Sequence, residues 1–318
     1  MLAPSFPFTA QYLTASDGVK LRYAWFSATA TVRGTLLLLQ GRREFIEKYS
    51  EMTSEWRARG FHVAILDWRG QGGSQRLLQN PHRSHVRSFD DYRNDIDLFY
   101  RQIVRLNQEG PLYVYGHSMG GCIALDWLLR DKPVVEKLIL VAPMLVLPMP
   151  GWLDEAVHLA AKAAIGLGYG DSYIPGEQDY APHQHPFEGN VLSRDPTRYA
   201  VTTTWFAEKP ELAIGGVTYG WLDAALHAIA SVRERLPQLN VPTIALNGGE
   251  DQVLPLPELS RWVKAIPNIV EKIYPTARHD LMGETDAIRN VAWRDIDAFL
   301  DSGSKPVPRL SPFAPQPR

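Results

Sequence analysis

Residues 112–129 read LYVYGHSMGGCIALDWLL, and this stretch decides the fold. An apolar, β-prone run at 112–115 leads into Gly-His-Ser-Met-Gly, and an apolar run of helical spacing follows directly. The order of strand, G-x-S-x-G and helix is typical of a sharp, strained turn that lifts a serine hydroxyl off a sheet. The helix then aims its free N–H groups at the place where a reacting oxygen gains charge. Ser118 is therefore the candidate nucleophile, and a plain glycine-rich turn is the alternative.

Length and composition indicate a large enzyme core rather than a nucleic-acid-binding or secreted domain. The chain has 318 residues, which suits an α/β core with an insertion. Its 33 Lys and Arg against 35 Asp and Glu give a net charge of -2, which indicates no nucleic-acid partner. The single cysteine, Cys122, cannot form an internal disulfide and favours a reducing compartment. Residues 1–10 lack the features of a secretory signal, and the most apolar window, 138–153, is short and broken by prolines. We therefore expect a cytoplasmic protein, with peripheral contact at the inner face of the membrane as an option.

Strand-like and helix-like segments alternate around the serine turn. A hairpin is predicted at 11–13 and 20–26. Ser88 begins a predicted amphipathic helix with an apolar face; that face carries Phe89, Tyr92, Ile96, Phe99, Ile103 and Leu106. Alternation of strands and helices implies crossover connections. The sequence therefore predicts an α/β protein with a mainly parallel eight-stranded sheet and helices on both faces; its remaining strands are expected at 34–39, 62–66, 112–115, 137–141, 243–247 and 270–274.

The alternation stops between Met144 and Leu236. This segment carries a predicted helix at 153–165, proline-containing polar loops and several aromatic residues. An insertion between sheet strands is typical of a helical cap over the carboxyl ends of the strands. Its aromatic residues, Trp205 and Phe206 among them, are candidates to line an apolar pocket there, with packing of cap on core as the alternative. We predict the first part of the core at 1–143, the cap at 144–236, the second part of the core at 237–302 and a proline-rich tail at 303–318.

A serine nucleophile needs a base, and the base needs a carboxylate that orients it. In the G-x-S-x-G pattern the acid and then the histidine follow the serine, each after a late strand. Glu250 and Asp251 follow one late predicted strand, and His279 and Asp280 follow the next. We predict Asp251 as the orienting acid and His279 as the general base. Glu250 and Asp280 are the rival carboxylates, and Glu250 is the more serious one.

Two backbone N–H groups usually receive the negative oxygen of a tetrahedral intermediate. Met119 N–H, at the head of the helix, is predicted as one of them, and Arg42 N–H, after Gly41, as the other. His117 is interpreted as packing or bonding within the turn rather than as the base. Together with Gly41, Arg43 and Trp205, it is a candidate substrate contact. The sequence indicates no metal or organic cofactor, because no further ligand completes a set with the one H-x-H pair in the cap.

Two further stretches carry a family resemblance. Residues 40–49 (QGRREFIEKY) and 67–92 (DWRGQGGSQRLLQNPHRSHVRSFDDY), together with the serine, acid and histidine, resemble the serine hydrolases of the α/β-hydrolase fold. The similar branch contains monoacylglycerol lipases and bacterial lysophospholipase L2. The resemblance assigns nucleophile, acid and base to Ser118, Asp251 and His279, and the oxyanion amides to Arg42 and Met119. The chain departs from the family at residues 40 and 68, where Gln and Trp replace the usual His.

The resemblance implies hydrolysis of the carboxylic ester of single-chain lipids, in particular lysophospholipids, through an acyl-enzyme on Ser118. Monoacylglycerol lipase and general carboxylesterase activities are alternatives. A third alternative is a proline-type aminopeptidase, which would need carboxylates in the cap to hold the substrate amine. A fourth is a non-catalytic binding protein. No obligate protein partner is inferred. Guanidinium groups suit a phosphate head group, with solvated surface charge as the alternative; the candidates are Arg42, Arg43, Arg76 and Arg83.

Overall fold

Eight strands form one sheet in the computed structural model, which describes residues 8–149 and 151–303. The strands are β1 (Gln11–Thr14), β2 (Lys20–Phe26), β3 (Gly34–Leu39), β4 (Phe61–Leu66), β5 (Leu112–His117), β6 (Lys137–Val141), β7 (Thr243–Gly248) and β8 (Ile269–Tyr274). Their order is β1-β2-β4-β3-β5-β6-β7-β8. The hairpin pair β1–β2 and the pair β2–β4 are antiparallel, and the remaining pairs are parallel. The predicted sheet and its antiparallel edge are confirmed.

The central strands are buried on both faces, which explains their uninterrupted apolar sequences. Every residue of β3 and β4 is buried. Along β3, Leu36 and Leu38 pack in one core cluster, whereas Leu37 and Leu39 pack in the other. This alternation follows from the two-residue period of a strand. Such strands require helices on both faces of the sheet.

Helices cover both faces, as predicted. They are α1 (Ser50–Ala58), α2 (Phe89–Phe99), α3 (Arg105–Asn107), α4 (Met119–Arg130), α5 (Asp154–Gly166), α6 (Pro196–Glu208), α7 (Tyr219–Arg235), α8 (Leu256–Val263) and α9 (Asp286–Asp301). Helices α1 and α9 contribute Trp56, Trp293 and Ile296 to one core cluster. Helices α2, α4, α7 and α8 contribute to the cluster on the opposite face. None of the helices in the described part of the chain is long and apolar enough to cross a membrane.

The helix after Ser88 departs from the predicted face at its end. A π turn at Tyr100–Val104 joins α2 to α3. A π turn holds more residues than an α turn, so the residues after it are rotated around the helix axis. Val104 is fully buried as a result, and Leu106 is 76% exposed. The expectation that Leu106 lies on the buried face was therefore wrong.

The segment between β6 and β7 contains α5, α6 and α7. The side chains of α7 pack with those of α4 in the core cluster, among them Ala225 and Ile229. Helix α6 forms a smaller apolar cluster with Phe45. The domain boundaries at 143, 236 and 302 remain predictions. Apart from Gly303, the predicted proline-rich tail lies outside the described residues.

Candidate active site

Ser118 stands between β5 and α4 in a backbone conformation that side chains rarely adopt. Its φ and ψ are 49° and −117°. Small neighbours permit this turn: a Cβ on Gly116 would lie 2.7 Å from the Cα of Gly121, and one on Gly120 would lie 2.2 Å from the carbonyl oxygen of Leu39. The turn is held by the Ser118 carbonyl, which accepts a 2.9 Å hydrogen bond from Met144 N–H. Strain at a non-glycine residue in such a turn is typical of a functional site.

His279 and Asp251 lie on loops after β8 and β7 and meet Ser118 in a line. The His279 Nε2 atom is 3.1 Å from Ser118 Oγ, and its Nδ1 atom is 2.7 Å from Asp251 Oδ2. The side chains of His279 and Asp251 are 5% and 2% exposed. With Nδ1–H donated to the carboxylate, the Nε2 lone pair faces the serine hydroxyl. This arrangement can move a proton from serine to histidine.

Asp251 is held in its ionised form. Burial alone would raise the pKa of Asp251, but the hydrogen bond and charge of His279 and two backbone amides together lower it. Those amides belong to Val253 and Leu254 and donate at 2.7 and 2.9 Å. The carboxylate is therefore an acceptor fixed from two sides.

The rival carboxylates have other partners. Glu250, whose side chain is 47% exposed, binds Arg194. Asp280 accepts a 2.8 Å hydrogen bond from Lys48 Nζ and another from Gly283 N–H. Of the three acids considered from sequence, the structure brings only Asp251 to His279.

The loop after β3 contacts the head of α4. Because Gly120 has no Cβ, the Leu39 and Gln40 carbonyls approach the helix closely. Met119 is the first residue of α4, and its side chain is buried against Gln71 Nε2 at 3.8 Å. Gly41 N–H donates to the Glu44 carboxylate. The roles of the Met119 and Arg42 amides remain predictions.

The two family departures are bonded to each other. Trp68 Nε1–H donates to the Gln40 carbonyl at 2.8 Å, and Gln40 Nε2–H donates to Asp67 Oδ1 at 3.0 Å. Asp67 also pairs with Arg22. Gln and Trp at these positions therefore hold the loop after β3 by hydrogen bonds of their own.

His117 belongs to a buried ionic network beside the serine. Its Nδ1 atom is 3.0 Å from Glu44 Oε2, and Glu44 also binds Lys48 and Tyr49. Burial would lower the pKa of His117, but the charge and hydrogen bond of Glu44 raise it. The ring centroids of His117 and His279 are 5.2 Å apart. The structure thus gives His117 a fixed partner and no hydrogen bond to Ser118.

A cavity of about 260 Å³ opens at Ser118 and His279. Of the predicted substrate contacts, Gly41, Arg43 and His117 line it. Trp205 does not, whereas the next residue, Phe206, which packs in the same apolar cluster with Phe45, does. Sequence reasoning missed several cap residues of this wall, because they come from irregular loops and one helix without a periodic signal: Tyr180, His185, Leu192 and Tyr199.

A larger cavity, about 510 Å³, does not include Ser118. It shares Lys48, Arg198 and Asp280 with the smaller one, and its other charged residues, Glu51, Asp195, Asp286 and Arg289, are all in ion pairs. In the described part of the chain, no three His, Cys, Asp or Glu side chains form a metal-binding group. We take the cavity at Ser118 as the candidate active site, because Ser118 and His279 both line it.

The four arginines considered for a phosphate separate into two groups. Arg76 donates to the carbonyl oxygens of Gly72 and Pro81, and Arg83 donates to that of Asp171; neither lines the cavity at Ser118. Arg42 and Arg43 do line it. The structure therefore brings two adjacent arginine residues to the candidate site, and the guanidinium of Arg43 contacts His185 and Tyr180 of its wall.

Comparison with known proteins gives consistent matches over most of the chain. The family model described as serine aminopeptidase, S33, matches residues 30–286. Lysophospholipase L2 of Escherichia coli (strain K12) is 32% identical over 302 residues, which cover 92% of this chain and 87% of that protein. Probable lysophospholipase L2 of Haemophilus influenzae is 26% identical over 295 residues, 92% of each chain. A soluble variant of monoglyceride lipase from Saccharomyces cerevisiae, solved with a substrate analog, shares the fold with a TM-score of 0.72 at 19% identity, covering 95% and 97% of the two chains.

Proposed function

The chain belongs to the serine aminopeptidase S33 family of α/β hydrolases, and from this premise we propose that it cleaves the carboxylic ester of single-chain lipids. The observation that carries the proposal is the line from Ser118 Oγ through the His279 ring to Asp251, at 3.1 and 2.7 Å, on the wall of a cavity. The names of the relatives support a lipid ester as substrate. No cofactor enters the proposal.

Acylation follows from this line of groups. Ser118 Oγ attacks the ester carbonyl carbon, and its proton passes to His279 Nε2. Asp251 stabilises the imidazolium that forms. The carbonyl oxygen becomes negative in the tetrahedral intermediate, and the N–H groups of Met119 and Arg42 receive it. His279 then gives its proton to the leaving alcohol oxygen as the ester C–O bond breaks.

Deacylation repeats the sequence with water. His279 takes a proton from a water molecule whose oxygen attacks the acyl carbon of the acyl-enzyme. The second tetrahedral intermediate uses the same two amides. Its collapse frees the fatty acid and returns the proton to Ser118 Oγ. The net reaction consumes one water and leaves the enzyme unchanged.

Lysophospholipids are the substrate we favour. The relatives named lysophospholipase L2 support this choice, and so do the two adjacent arginine residues that line the cavity. Monoacylglycerols are the second candidate, supported by the likeness to monoglyceride lipases. An aminopeptidase is less favoured, because the cap carboxylates that would hold an amine are not on the cavity wall; these are Glu177, Asp179 and Glu188.

The test is release of fatty acid from a panel of lysophospholipids, monoacylglycerols and aminoacyl esters, with fluorophosphonate labelling alongside. We expect lysophospholipids to be cleaved faster than monoacylglycerols of equal chain length, and Ser118→Ala to abolish both turnover and labelling. A well-folded wild type that takes no label would indicate a binding protein instead. Equal labelling of Ser118→Ala would remove Ser118 as nucleophile.

We further infer that the enzyme acts in the cytoplasm and touches the inner face of the membrane. Its cysteine is a free, buried thiol, which suits a reducing compartment. Large apolar side chains are exposed along and beside α5, including Trp152, Leu159 and Leu167. A surface of this kind suits an enzyme whose substrates reside in lipid. No obligate protein partner is proposed.

A further inference from the structure

Four cationic residues line the cavity at Ser118, and they differ in how their charge is balanced. Lys48 lies between Glu44 and Asp280. Arg198 pairs with Glu51 at 2.8 Å and with Asp286 at 2.7 Å. The other two cations, Arg42 and Arg43, have no carboxylate within ion-pair distance among residues 8–149 and 151–303. Of these four residues, only Arg42 and Arg43 therefore lack a direct ion pair, and the charge of Glu177 acts on both from beyond ion-pair distance.

Arg43 holds a neutral partner at the cavity wall. One of its terminal nitrogens lies 2.9 Å from His185 Nε2, and its guanidinium carbon lies 5.9 Å from the Tyr180 ring centroid. A guanidinium only donates, so the histidine nitrogen is the acceptor and the ring is neutral. Burial and the charge of Arg43 lower the pKa of His185 to about 4, which agrees with a neutral ring. Several N–H donors of Arg43 are thus left for a ligand.

The backbone of Arg43 is unusual for its residue type. Its φ is 65°, a conformation that favours glycine. A 2.8 Å hydrogen bond from its N–H to Gln71 Oε1 holds it there. A non-glycine residue held in such a backbone conformation, on the wall of the cavity at Ser118, is typical of a functional position.

Arg42 adds to the positive potential beside Arg43, but its guanidinium has different partners from that of Arg43. Its guanidinium donates to the Gly215 carbonyl at 3.1 Å and lies 5.7 Å from the Trp221 ring centroid. Burial and the adjacent charge of Arg43 lower the pKa of Arg42 to about 10, although the charge of Glu177 opposes this. Two adjacent, partly buried cations repel each other, and an anion between cap and core relieves that repulsion.

We propose that Arg43 is the anchor for the phosphate of the substrate head group, with Arg42 as the second source of positive charge. This inference rests on the proposed function, since it names the feature by which that site selects phosphate-bearing single-chain lipids. The phosphodiester accepts charge-assisted hydrogen bonds from the guanidinium, which no neutral glycerol head group can match. Arg43 is therefore a specificity determinant rather than a part of the bond-breaking machinery.

The kinetic test compares Arg43→Gln with wild type on a lysophospholipid and a monoacylglycerol that carry the same acyl chain. We expect the ratio of the two kcat/KM values to shift at least tenfold against the lysophospholipid, mainly through KM. Arg43→Lys should retain part of the preference, because it keeps the charge. Arg43→Gly removes the guanidinium and relieves the positive φ; a shift equal to that of Arg43→Gln would attribute the effect to the side chain.

The matched control is Arg57→Gln. Arg57 is also an arginine bound to a neutral acceptor, the carbonyl oxygen of Ser27, at 2.7 Å, but it does not line the cavity. Arg57→Gln should leave both kcat/KM values within about twofold of wild type, as expected of surface substitutions that break no buried packing or buried hydrogen bonding. An unchanged ratio in folded Arg43→Gln would overturn the proposal while fatty acid release by wild type preserved the proposed function.

A binding experiment distinguishes failure of the phosphate anchor from failure of the proposed esterase activity. The Ser118→Ala variant, which cannot hydrolyse the substrate, is titrated calorimetrically with a short-chain lysophospholipid below its critical micelle concentration. The double variant Ser118→Ala, Arg43→Gln is titrated in the same way. At least tenfold weaker binding in the double variant supports the phosphate anchor even if wild type released no fatty acid. Inorganic phosphate is titrated in parallel. Equal or tighter Arg43-dependent binding of free phosphate would overturn the assignment to a lipid head group.

Discussion

At the scale of single residues, we expect the loss of the His279 side chain to abolish most of the turnover while leaving the stability of the fold nearly unchanged. His279→Ala removes the proton acceptor of Ser118, but Asp251 keeps its hydrogen bonds from Val253 and Leu254 N–H at 2.7 and 2.9 Å. We expect kcat to fall about 10⁴-fold or more, as for other members of a serine–histidine unit. We expect little change in the urea midpoint of unfolding.

The control for this variant is His158→Ala. His158 lies 2.9 Å from Asp223 Oδ1, so it is also a histidine beside an aspartate, but it is not on the cavity wall. Its removal should leave kcat unchanged. Comparable turnover in His279→Ala and wild type would end the proposed proton transfer.

His117 gives a prediction about pH. Because Glu44 raises its pKa above the ordinary 6.5, the folded protein binds this proton more tightly than the unfolded chain does. The stabilisation that protonated His117 gains from Glu44 is fully present below about pH 6.5. It is lost as the pH rises through the folded pKa of His117. We therefore expect the difference in Tm between wild type and His117→Gln to be largest near the acid end and to shrink with rising pH. Thermal unfolding between about pH 5.5 and 9 measures it.

Using the difference between the two proteins removes the titration of groups that they share. Lys48, Asp280 and His279 face the same network and are present in both proteins. Glu44 sets the lower limit of the useful range, since the charges of His117 and Lys48 lower its pKa against the effect of burial. A difference in Tm that stays constant with pH would show that the His117 proton does not contribute.

At the scale of elements, glycines decide how closely α4 approaches β3. A Cβ on Gly120 would lie 2.2 Å from the Leu39 carbonyl oxygen and 2.5 Å from that of Gln40. Backbone atoms cannot move aside as a flexible side chain can. We expect Gly120→Ala to destabilise the protein by about 3 kcal/mol, the upper range of overpacking. It should also lower turnover, because the head of α4 carries the Met119 amide.

Gly166 is the matched control on another helix. It ends α5, and nothing lies within 4 Å of a Cβ placed there. Gly166→Ala should stabilise by about 0.5 kcal/mol through helix propensity and lower unfolded-state entropy. Urea unfolding of the two variants provides the comparison. Equal effects of the two substitutions would remove close packing as the reason for glycine at 120.

Local patterns predicted most elements, and they failed where neighbours or irregular turns decide the outcome. Strand β3 was predicted with its observed bounds, because an uninterrupted apolar run fits only a strand buried on both faces. Leu106 was misplaced because no local signal announces the π turn at Tyr100–Val104. Tyr180 and His185 were missed as cavity residues because a loop without periodicity carries them.

At the scale of the whole molecule, the topology explains why the candidate site was more predictable than its substrate cavity. Ser118, Asp251 and His279 follow β5, β7 and β8, which are parallel strands of one sheet. Their loops therefore meet at the same edge, and chain order alone predicted that three such groups converge. The cavity wall depends instead on how the segment between β6 and β7 packs over this edge. Those contacts are tertiary, so the sequence predicted a cap but not which of its aromatic side chains face the serine.

The outer surface of this segment carries the last prediction. Leu159 lies on α5, Trp152 in the 3₁₀ turn Gly151–Leu153 before it, and Leu167 directly after its end. These side chains are 69%, 79% and 76% exposed. Burying one large apolar side chain contributes about 1.5–3 kcal/mol, and tenfold in affinity corresponds to about 1.4 kcal/mol. Replacing all three by serine should therefore weaken binding to vesicles of phosphatidylethanolamine and phosphatidylglycerol by at least tenfold. Sedimentation with the vesicles measures this.

The matched control replaces Leu106 and Val134, which are 76% and 85% exposed outside this segment. If the membrane surface meets the cap, the control binds vesicles like wild type, and all three proteins hydrolyse a water-soluble short-chain ester at similar rates. Equal loss of vesicle binding in the control would indicate nonspecific apolar adhesion, and no loss in either would remove α5 as the docking element.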